Sequence, residues 1–395
     1  MSARFAPTYQ RCLQPKGLLV GTATMICLMI LATPVKAQSG KPKQPALPPV
    51  RYQVQLWTVP EALNFDVADT NNKRQTVGSI GVDLNGDGLG DASRGFLYDP
   101  NIHYDPVTDL GIGLDLNDVV YDVAAGIPVG WYIRRATAIN EVGQITAHIE
   151  PIANMTGSTS LSVLQAVVID MNQFPPRLQV IPDRDLTDYS VAGDINFFGD
   201  VIVRYTKANG TWGHYVYDGV TKTISDLGVS AAGGQLPKMN NNGVIVGQLS
   251  DGNGYRISST GEFETLSALR PFAINENGAF CGNTTVTTTK PRGTANYAFV
   301  YDTSLTVNKI GNTAFDLNTS LDSVVFYYWL NHRTFGNLTI RDLLDPRDSD
   351  SSLISSLSCK TMTDRDLVTN FPVLGGYATI GGIDMGIHLI PVPAP

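Results

Sequence analysis

A short phrase that recurs along the chain constrains its fold more than any other feature. Each copy has an Asn, a Gly three residues later, and then an apolar run closed by a small residue. Clear copies start at Asn140, Asn196, Asn240 and Asn275. A degenerate copy starts at Asn71 and has Arg74 at the glycine position, and a weak last copy lies near Asp366. A sequence that repeats in this way indicates stacked copies of one supersecondary unit.

The unit is built from strands. Its apolar residues alternate or run together over four to six positions, which is the period of strands and not of helices. The Asn-x-x-Gly step suits a tight turn, because both residues tolerate left-handed backbone. A later strand of the unit ends in an acid in four copies: Asp99, Asp170, Asp218 and Asp302.

Four short strands in each repeat predict an all-β protein, a β-propeller of about six to seven four-stranded blades. The interval between Asn275 and Asp366 is too long for one blade, so we expect a degenerate blade over residues 324–344. A linear β-solenoid is the alternative fold.

Several segments resemble the bacterial extracellular HAF-type repeat proteins, which are named for a His-Ala-Phe triplet. They are the Ala-Ile-Asn-x-x-Gly phrase at residues 138–143 and 273–278, the aromatic strands at 214–218 and 297–302 that each end in an acid, and the terminal stretch 388–393. The resemblance covers residues 52–393, although no intact triplet occurs. It implies a secreted repeat protein and brings no established activity or catalytic set.

Residues 1–37 have the pattern of a secretory signal peptide. The segment opens with basic residues and no acid, continues with an uncharged stretch over 17–34, and ends in a small-x-small exit at Ala37. An uncleaved membrane anchor is the alternative. Residues 38–50 are a polar linker, and residues 51–395 form one repeat domain with no further segment apolar enough to span a bilayer. We expect a bacterial protein that is secreted, either periplasmic or extracellular.

The net charge limits the classes of binding partner, and the cysteine content limits the disulfides that can form. The net charge is −8, and removal of the leader makes it more negative, which argues against nucleic acid or anionic lipid as a partner. Cys281 and Cys359 are the cysteines that remain after the leader. They could form one disulfide in an oxidising compartment, but Cys281 occupies a strand position that is apolar in other repeats and could equally be a free, buried thiol.

The most specific chemical motif is an acidic loop at residues 83–91. It has oxygen-bearing side chains at loop positions one, three, five and nine and a glycine at position six, which matches the front of a calcium loop. Position twelve is Arg94 in place of the EF-hand Glu, so the loop resembles the calcium loops of integrin-type propeller repeats. We expect a structural Ca²⁺, and a metal-free turn is the alternative. The predicted ligands are Asp83, Asn85, Asp87, the carbonyl of Leu89, and Asp91.

Catalytic signals are few. The five His residues stand singly, and the sequence has no Gly-x-Ser-x-Gly elbow and no phosphate-cradling glycine loop. The strand-end acids occupy equivalent repeat positions, which favours turn acids over a catalytic pair. Aromatic residues in or beside the variable loops could stack on a ligand or pack between blades: Trp131, Tyr132, Trp212, Tyr255, Tyr327, Tyr328 and Trp329.

These patterns favour a secreted, non-enzymatic propeller that is stabilised by calcium and binds a carbohydrate of the cell envelope or another protein. The alternative is a polysaccharide-active enzyme, a glycosidase or lyase, whose carboxylates converge from several blades. Two carboxylates about 5 to 10 Å apart in a central pocket would favour that enzyme. The sequence assigns no catalytic residue.

Overall fold

A computed structural model of the chain describes most of the predicted repeat domain. It covers residues 48–394 with gaps at 103, 106–109, 121–126, 155–162, 185–188, 290–291, 303–306, 312 and 326. The predicted signal peptide and most of the linker lie outside the described residues.

The strands follow one another as consecutive antiparallel blades. Strand β1 (Val50–Thr58) comes first, and blade 1 then uses β2 (Ala62–Thr70), β3 (Thr76–Val82), β4 (Ala92–Tyr98) and, after β5 (Tyr104–Asp105) and β6 (Leu110–Ile112), β7 (Leu114–Asp115). Helix α1 (Leu116–Val119) leads to blade 2, which comprises β8 (Trp131–Ile139), β9 (Gln144–Pro151), β10 (Gln165–Asp170) and β11 (Arg177–Val180). A 3₁₀ turn at Ile152–Asn154 follows β9.

The middle blades repeat this plan. Blade 3 comprises β12 (Ser190–Ile195), β13 (Val201–Thr206), β14 (Trp212–Tyr217) and β15 (Ile224–Asp226). Blade 4 comprises β16 (Lys238–Met239), β17 (Ile245–Gln248), β18 (Gly254–Ile257) and β19 (Phe263–Leu266). Blade 5 comprises β20 (Leu269–Ile274), β21 (Phe280–Thr289), β22 (Arg292–Tyr301) and β23 (Val307–Gly311).

The last two blades contain the degenerate copy and the closure. Blade 6 comprises β24 (Ala314–Leu317), β25 (Ser323–Val325), β26 (Trp329–His332) and β27 (Gly336–Thr339). A 3₁₀ turn (Ile340–Leu343) and α2 (Ser349–Leu353) precede blade 7, which comprises β28 (Ile354–Arg365), β29 (Pro372–Ile380), β30 (Ile383–Pro393) and the first strand of the fold, β1. The chain is therefore a seven-bladed β-propeller of four-stranded sheets.

The ring is closed by the pairing of the first and last strands. Strand β1 runs antiparallel to β30 from the Val50–Pro393 pair to the Trp57–Gly386 pair. Strand β6 adds to the outer edge of β1 in parallel. This closure rules out the linear solenoid. The predicted degenerate blade is present as blade 6, but it begins at Ala314, ten residues before the predicted range, and its last strand ends at Thr339.

The Asn-x-x-Gly turns join the first and second strands of the blades and also link neighbouring blades. The Asn275 Oδ1 accepts the backbone N–H groups of Asn277 and Ala279, and its Nδ2 donates to the carbonyl of Asn318 in blade 6 at 2.9 Å. Equivalent blade-to-blade bonds run from Asn71 to Asn140, from Asn140 to Asn196 and from Asn240 to Asn275. The repeated Asn is therefore a structural residue, and its side chain connects blade 1 to 2, 2 to 3, 4 to 5 and 5 to 6.

The fourth residue of these turns has left-handed backbone even where it is not glycine. Gly278 has φ +80°, as the sequence predicts, while Arg74 and Leu321 adopt φ 64° and 67° in the same slot. The turn at Asn318 escaped the sequence pattern because Leu321 replaces the glycine.

The apolar core lies between and within blades. Cys281 and Cys359 are both buried and free, so the predicted strand position of Cys281 is confirmed. Among the residues that the structure describes, none belongs to a helix with the length and apolar character needed to cross a membrane.

Candidate functional site

The innermost strands surround a central channel. One cavity of about 190 Å³ lies at the end formed by the Asn turns, and a second of about 540 Å³ lies at the opposite end. The two are contiguous, since Ala68, Lys238, Phe315 and Lys360 line both. We call them the narrow end and the wide end of the channel.

Three aspartates line the narrow end. Asp69, Asp194 and Asp316 each stand two residues before a repeat Asn, directly after a bulge in the inner strand. Each carboxylate accepts the N–H of the next residue in its own strand and an N–H from the neighbouring blade. The blade-to-blade donors are Ile139, Met239 and Met362, at 2.8–3.0 Å.

Enclosure in the ring alters the proton affinity of these groups. Burial raises the pKa of Asp316 to about 7 and the pKa of Asp194 to about 6, and it also raises the pKa of Asp69. The Lys238 Nζ lies 4.0 Å from Asp194 Oδ1. Burial by itself lowers the pKa of Lys238, but attraction to the three aspartates outweighs it and the net pKa is raised. The lysine therefore stays cationic between the two ends of the channel.

The wide end has the opposite charge character. Five basic side chains line it, and among the described residues no Asp or Glu does: Arg134, Arg135, Arg204, Lys238 and Lys360. The nearest acids are behind this lining, where Asp66 pairs with Arg135 at 2.9 Å and with Lys360, and Glu150 pairs with Arg134 at 3.0 Å.

Arg204 is the least solvated of these cations. Its residue is 8% exposed, its guanidinium lies 4.9 Å from the centre of the Trp212 ring, and it donates to the carbonyl of Gly233. Its Nε has no hydrogen-bond partner, and burial lowers its pKa. His148 lies among Arg135, Arg134 and Arg204, and burial together with these three charges lowers its pKa to about 3. The imidazole is therefore neutral, and the local positive charge belongs to the arginines.

Aromatic rings form another part of the wide-end lining. Phe315 and Tyr327 stack with ring centroids 4.3 Å apart, and Phe272 meets Phe315 edge-on at 6.3 Å. The Lys360 Nζ lies 5.9 Å from the centre of the Tyr327 ring. Cations and an aromatic surface are thus adjacent in one cavity.

The predicted calcium loop connects β3 to β4 on the face of the wide end, because Ser93, two residues beyond it, lines that cavity. Carboxylate oxygens of Asp83, Asp87 and Asp91 lie within 4.8 Å of one another. Four backbone N–H groups of the loop lower the pKa of Asp83, and that of Gly88 has the largest effect. Three anions held this close fit a divalent cation.

The other predicted ligands also belong to this loop. The Asn85 side chain accepts the N–H of Asp87 and donates to the carboxylates of Asp87 and Asp91. Leu89 donates its N–H to Asp87, and its side chain is exposed. Bound there, Ca²⁺ would take oxygen ligands from the loop and offset the carboxylate repulsion.

The remaining sequence candidates do not assemble into a site. Asp99, Asp170 and Asp218 accept bonds from residues close by in sequence, as turn acids do, and neither they nor Asp302 line the channel. The aromatic candidates divide, since Tyr255 is fully buried, Tyr327 lines the wide end, and Tyr328 and Trp329 are exposed.

Sequence reasoning missed the channel residues. For the aspartates a signal existed, because aligned repeats place an acid two residues before the Asn at positions 69, 194 and 316. For Arg204 and Lys360 no linear signal exists, since they come from the second strand of blade 3 and the first strand of blade 7.

Comparison with known proteins gives distant structural likenesses. Neither the protein-family models nor the curated proteins give a match. The β-propeller domain of the Trilobed protease from Pyrococcus furiosus is 8% identical, with a TM-score of 0.49, over 85% of this chain and 96% of that one. TolB from Acinetobacter baumannii is 15% identical, with a TM-score of 0.34, over 81% and 83%. A puromycin-hydrolyzing peptidase of Mycobacterium tuberculosis is 11% identical, with a TM-score of 0.41, over 80% and 50%. Likenesses this distant carry no argument about activity.

Proposed function

We propose that this protein is a secreted, non-enzymatic β-propeller that acts at or outside the cell envelope, where it binds a carbohydrate or protein partner and is stabilised by calcium. The observation that carries the proposal is the wide end of the channel, a cavity of about 540 Å³ lined by five basic side chains and an aromatic surface. This volume is within the usual range of small-ligand sites, about 300–1,000 Å³. Its dimensions favour a carbohydrate over a folded protein as the occupant.

A binding role also agrees with the bonding of the channel acids. Each aspartate of the narrow end is engaged by two backbone N–H groups, one of them from the next blade. A carboxylate bonded in this way holds two blades together, and its removal would destabilise the ring of blades.

The direct test uses the full chain, expressed with its leader. We expect it outside the cytoplasm with a new amino terminus at Gln38, and we expect it to bind bacterial envelope or extracellular polysaccharides on a glycan array. Recovery of the uncleaved chain in the cytoplasm would contradict secretion, and an array without signal would contradict carbohydrate binding.

The polysaccharide-active enzyme stays the second candidate because of one observation. Burial raises the pKa of Asp194 and Asp316 to about 6 and about 7, the range in which a carboxyl group works as a general acid near neutral pH. Glycans that bind on the array should be incubated with the protein and analysed for new reducing ends or unsaturated ends. Products that disappear in the Asp194→Asn variant would favour the enzyme, whereas intact glycans favour the binding protein.

A further inference from the structure

The wide end concentrates positive charge in an acidic protein. The full chain carries a net charge of −8, yet five basic groups line this cavity, and the acids paired with them are Asp66, Glu150 and Asp194. Among the described residues, Arg204 has no ion-pair partner, and Arg135 and Lys360 share the single carboxylate of Asp66. A cavity with low-dielectric walls strengthens the field of such charges and attracts anions.

The hydrogen bonding of these cations is incomplete. The Nε atoms of Arg204 and Arg135 are buried without partners, and so is Nδ1 of His148. Burial of a guanidinium is unfavourable unless counter-charges and hydrogen bonds replace its water. Arg204, which is 92% buried, is contacted by the Trp212 ring, the carbonyl of Gly233 and the side chain of Tyr189, with no carboxylate within ion-pair distance in the described part of the chain. An anionic ligand would supply the counter-charge that the protein omits.

The same cavity offers a surface for a ring. The Phe315–Tyr327 stack and Phe272 line it beside Lys360, and Gln235, Ser93 and Thr137 add neutral polar groups. Aromatic faces bind the flat apolar faces of sugars, while neutral polar groups suit sugar hydroxyls. A ligand that uses all three parts carries a carboxylate, hydroxyls and an apolar ring face.

We infer that the wide end binds an acidic sugar of the uronic acid class, with its carboxylate held by Arg204 and Arg135 and its ring placed on the Phe315–Tyr327 stack. This inference rests on the proposed function, since it names the carbohydrate that the binding protein takes. Guanidinium groups bind carboxylates in a planar, two-bond geometry, which suits this assignment. Inorganic phosphate shares the charge but lacks the ring, and it therefore serves as the test of the aromatic contribution.

The experiment is calorimetric titration of the full chain with uronate disaccharides of several linkages, each paired with its neutral counterpart, and with inorganic phosphate. We expect the best uronate to bind at least about tenfold more tightly than its neutral counterpart and to weaken as salt rises, because salt screens the charges. Phosphate should bind more weakly than the uronate.

Matched variants locate the site. Arg204→Gln and Arg135→Gln should each weaken uronate binding about tenfold or more, and Phe315→Ala should weaken uronate but not phosphate. Arg135 is the safer variant for folding, because its side chain is 38% exposed and Asp66 keeps Lys360 as a partner. Arg177→Gln, which changes an exposed arginine of the outer strand of blade 2, is the control and should bind normally.

Three outcomes would overturn the inference. Equal affinity for neutral and acidic sugars would show that the cavity does not recognise the carboxylate, although it would still bind carbohydrate. If phosphate bound as tightly as uronate, and Phe315→Ala did not weaken phosphate binding, the cavity would be a general anion site. No binding by any uronate, with signal for other glycans on the array, would refute the acidic sugar and keep the proposed function.

Discussion

The two ends of the central channel are built on the same inner strands but differ in how their charges are satisfied. At the narrow end, Asp69, Asp194 and Asp316 each bond to their own blade and to the next one. At the wide end, Arg204 is buried but lacks a carboxylate partner among the described residues. Polar groups that are fully bonded within the protein stabilise the fold, whereas buried groups with unmet bonds point to a ligand. Substitutions at the narrow end should therefore change stability, and substitutions at the wide end should change binding.

The largest expected effect is at the Asn turns of the narrow end. Asn275→Ala leaves the N–H groups of Asn277 and Ala279 without their partner, and the carbonyl of Asn318 keeps the N–H of Leu321 as its donor. At roughly 1–3 kcal/mol for each of the two N–H groups left unbonded, we expect a loss of about 2–6 kcal/mol in the free energy of unfolding. Denaturant unfolding measures it, while uronate affinity of the folded variant should not change.

Asn277→Ala is the matched control, because that side chain donates one bond on the exposed surface, to the carbonyl of Thr319. A cost as large as that of Asn275→Ala would show that the larger number and the burial of the Asn275 bonds do not distinguish the two turn residues.

Calcium should have the next largest effect, and it acts on the face of the wide end. Binding to the native state alone adds about 2.7 kcal/mol at a hundredfold excess over Kd. Millimolar calcium should raise the melting temperature and a chelator should lower it, and Asp87→Ala should abolish the difference. Asp251→Ala, which changes an exposed acid in a turn of blade 4, should keep the calcium response. Identical melting curves with calcium and with chelator would make the loop an ordinary turn.

Backbone strain at a turn should cost somewhat less. Gly278 has φ +80°, and a β-branched side chain is strained in that region, so Gly278→Val should destabilise the fold by about 1–3 kcal/mol. Gly278→Asn is the control and should cost less, because Asn tolerates left-handed backbone. An unchanged melting temperature for the Val variant would mean that the turn adapts, as it has at Leu321.

The smallest effect concerns pH and the narrow end. Because burial raises the pKa of Asp316 to about 7, the folded state keeps a proton that the unfolded chain releases above its ordinary pKa near 4. The stability that this group contributes is present at low pH and is lost as pH rises through about 7. Asp316→Asn removes this titration, so its stability relative to the parent should rise by about 1–2 kcal/mol between pH 6 and pH 8.

Parent and variant must be compared at the same pH, because the buried histidines act in the opposite sense. Burial lowers the pKa of His148, His214 and His388 to about 3, so all three favour the folded state above pH 6.5 and oppose it as pH falls. A constant stability difference between Asp316→Asn and the parent would mean that Asp316 is ionised throughout.

Much of the fold could be predicted from the sequence, because the information is local and repeated. Asn and Gly in a fixed order specify the turn, and strand periodicity specifies the blade. Blade 6 has the weakest repeat signal in the sequence, because Leu321 adopts the left-handed conformation that glycine has in the clear copies of the turn. The closure by β1 was not visible, because a strand that pairs with a partner more than 300 residues away carries the same pattern as any other.

The two candidate sites also differ in how far the sequence reveals them, because one is contiguous in the chain and the other is assembled from several blades. The acidic loop at residues 83–91 is contiguous, so its spacing alone brought its ligands together, and Asp83, Asp87 and Asp91 do converge. The channel draws Arg135, Arg204, Phe315 and Lys360 from blades 2, 3, 6 and 7. Their proximity follows from the closed ring, and no spacing along the chain encodes it.

The closure has a consequence for how the molecule forms. Until β1 reaches β30, blade 7 is a three-stranded sheet whose last strand has an unpaired edge, and the channel has no fixed diameter. Of the strands that the structure describes, the first to leave the ribosome is therefore the one that completes the last blade. Such a long-range contact is slow to form, so ring closure should govern the folding rate, and the exposed β30 edge is the site where a second, unfinished copy of the chain would attach.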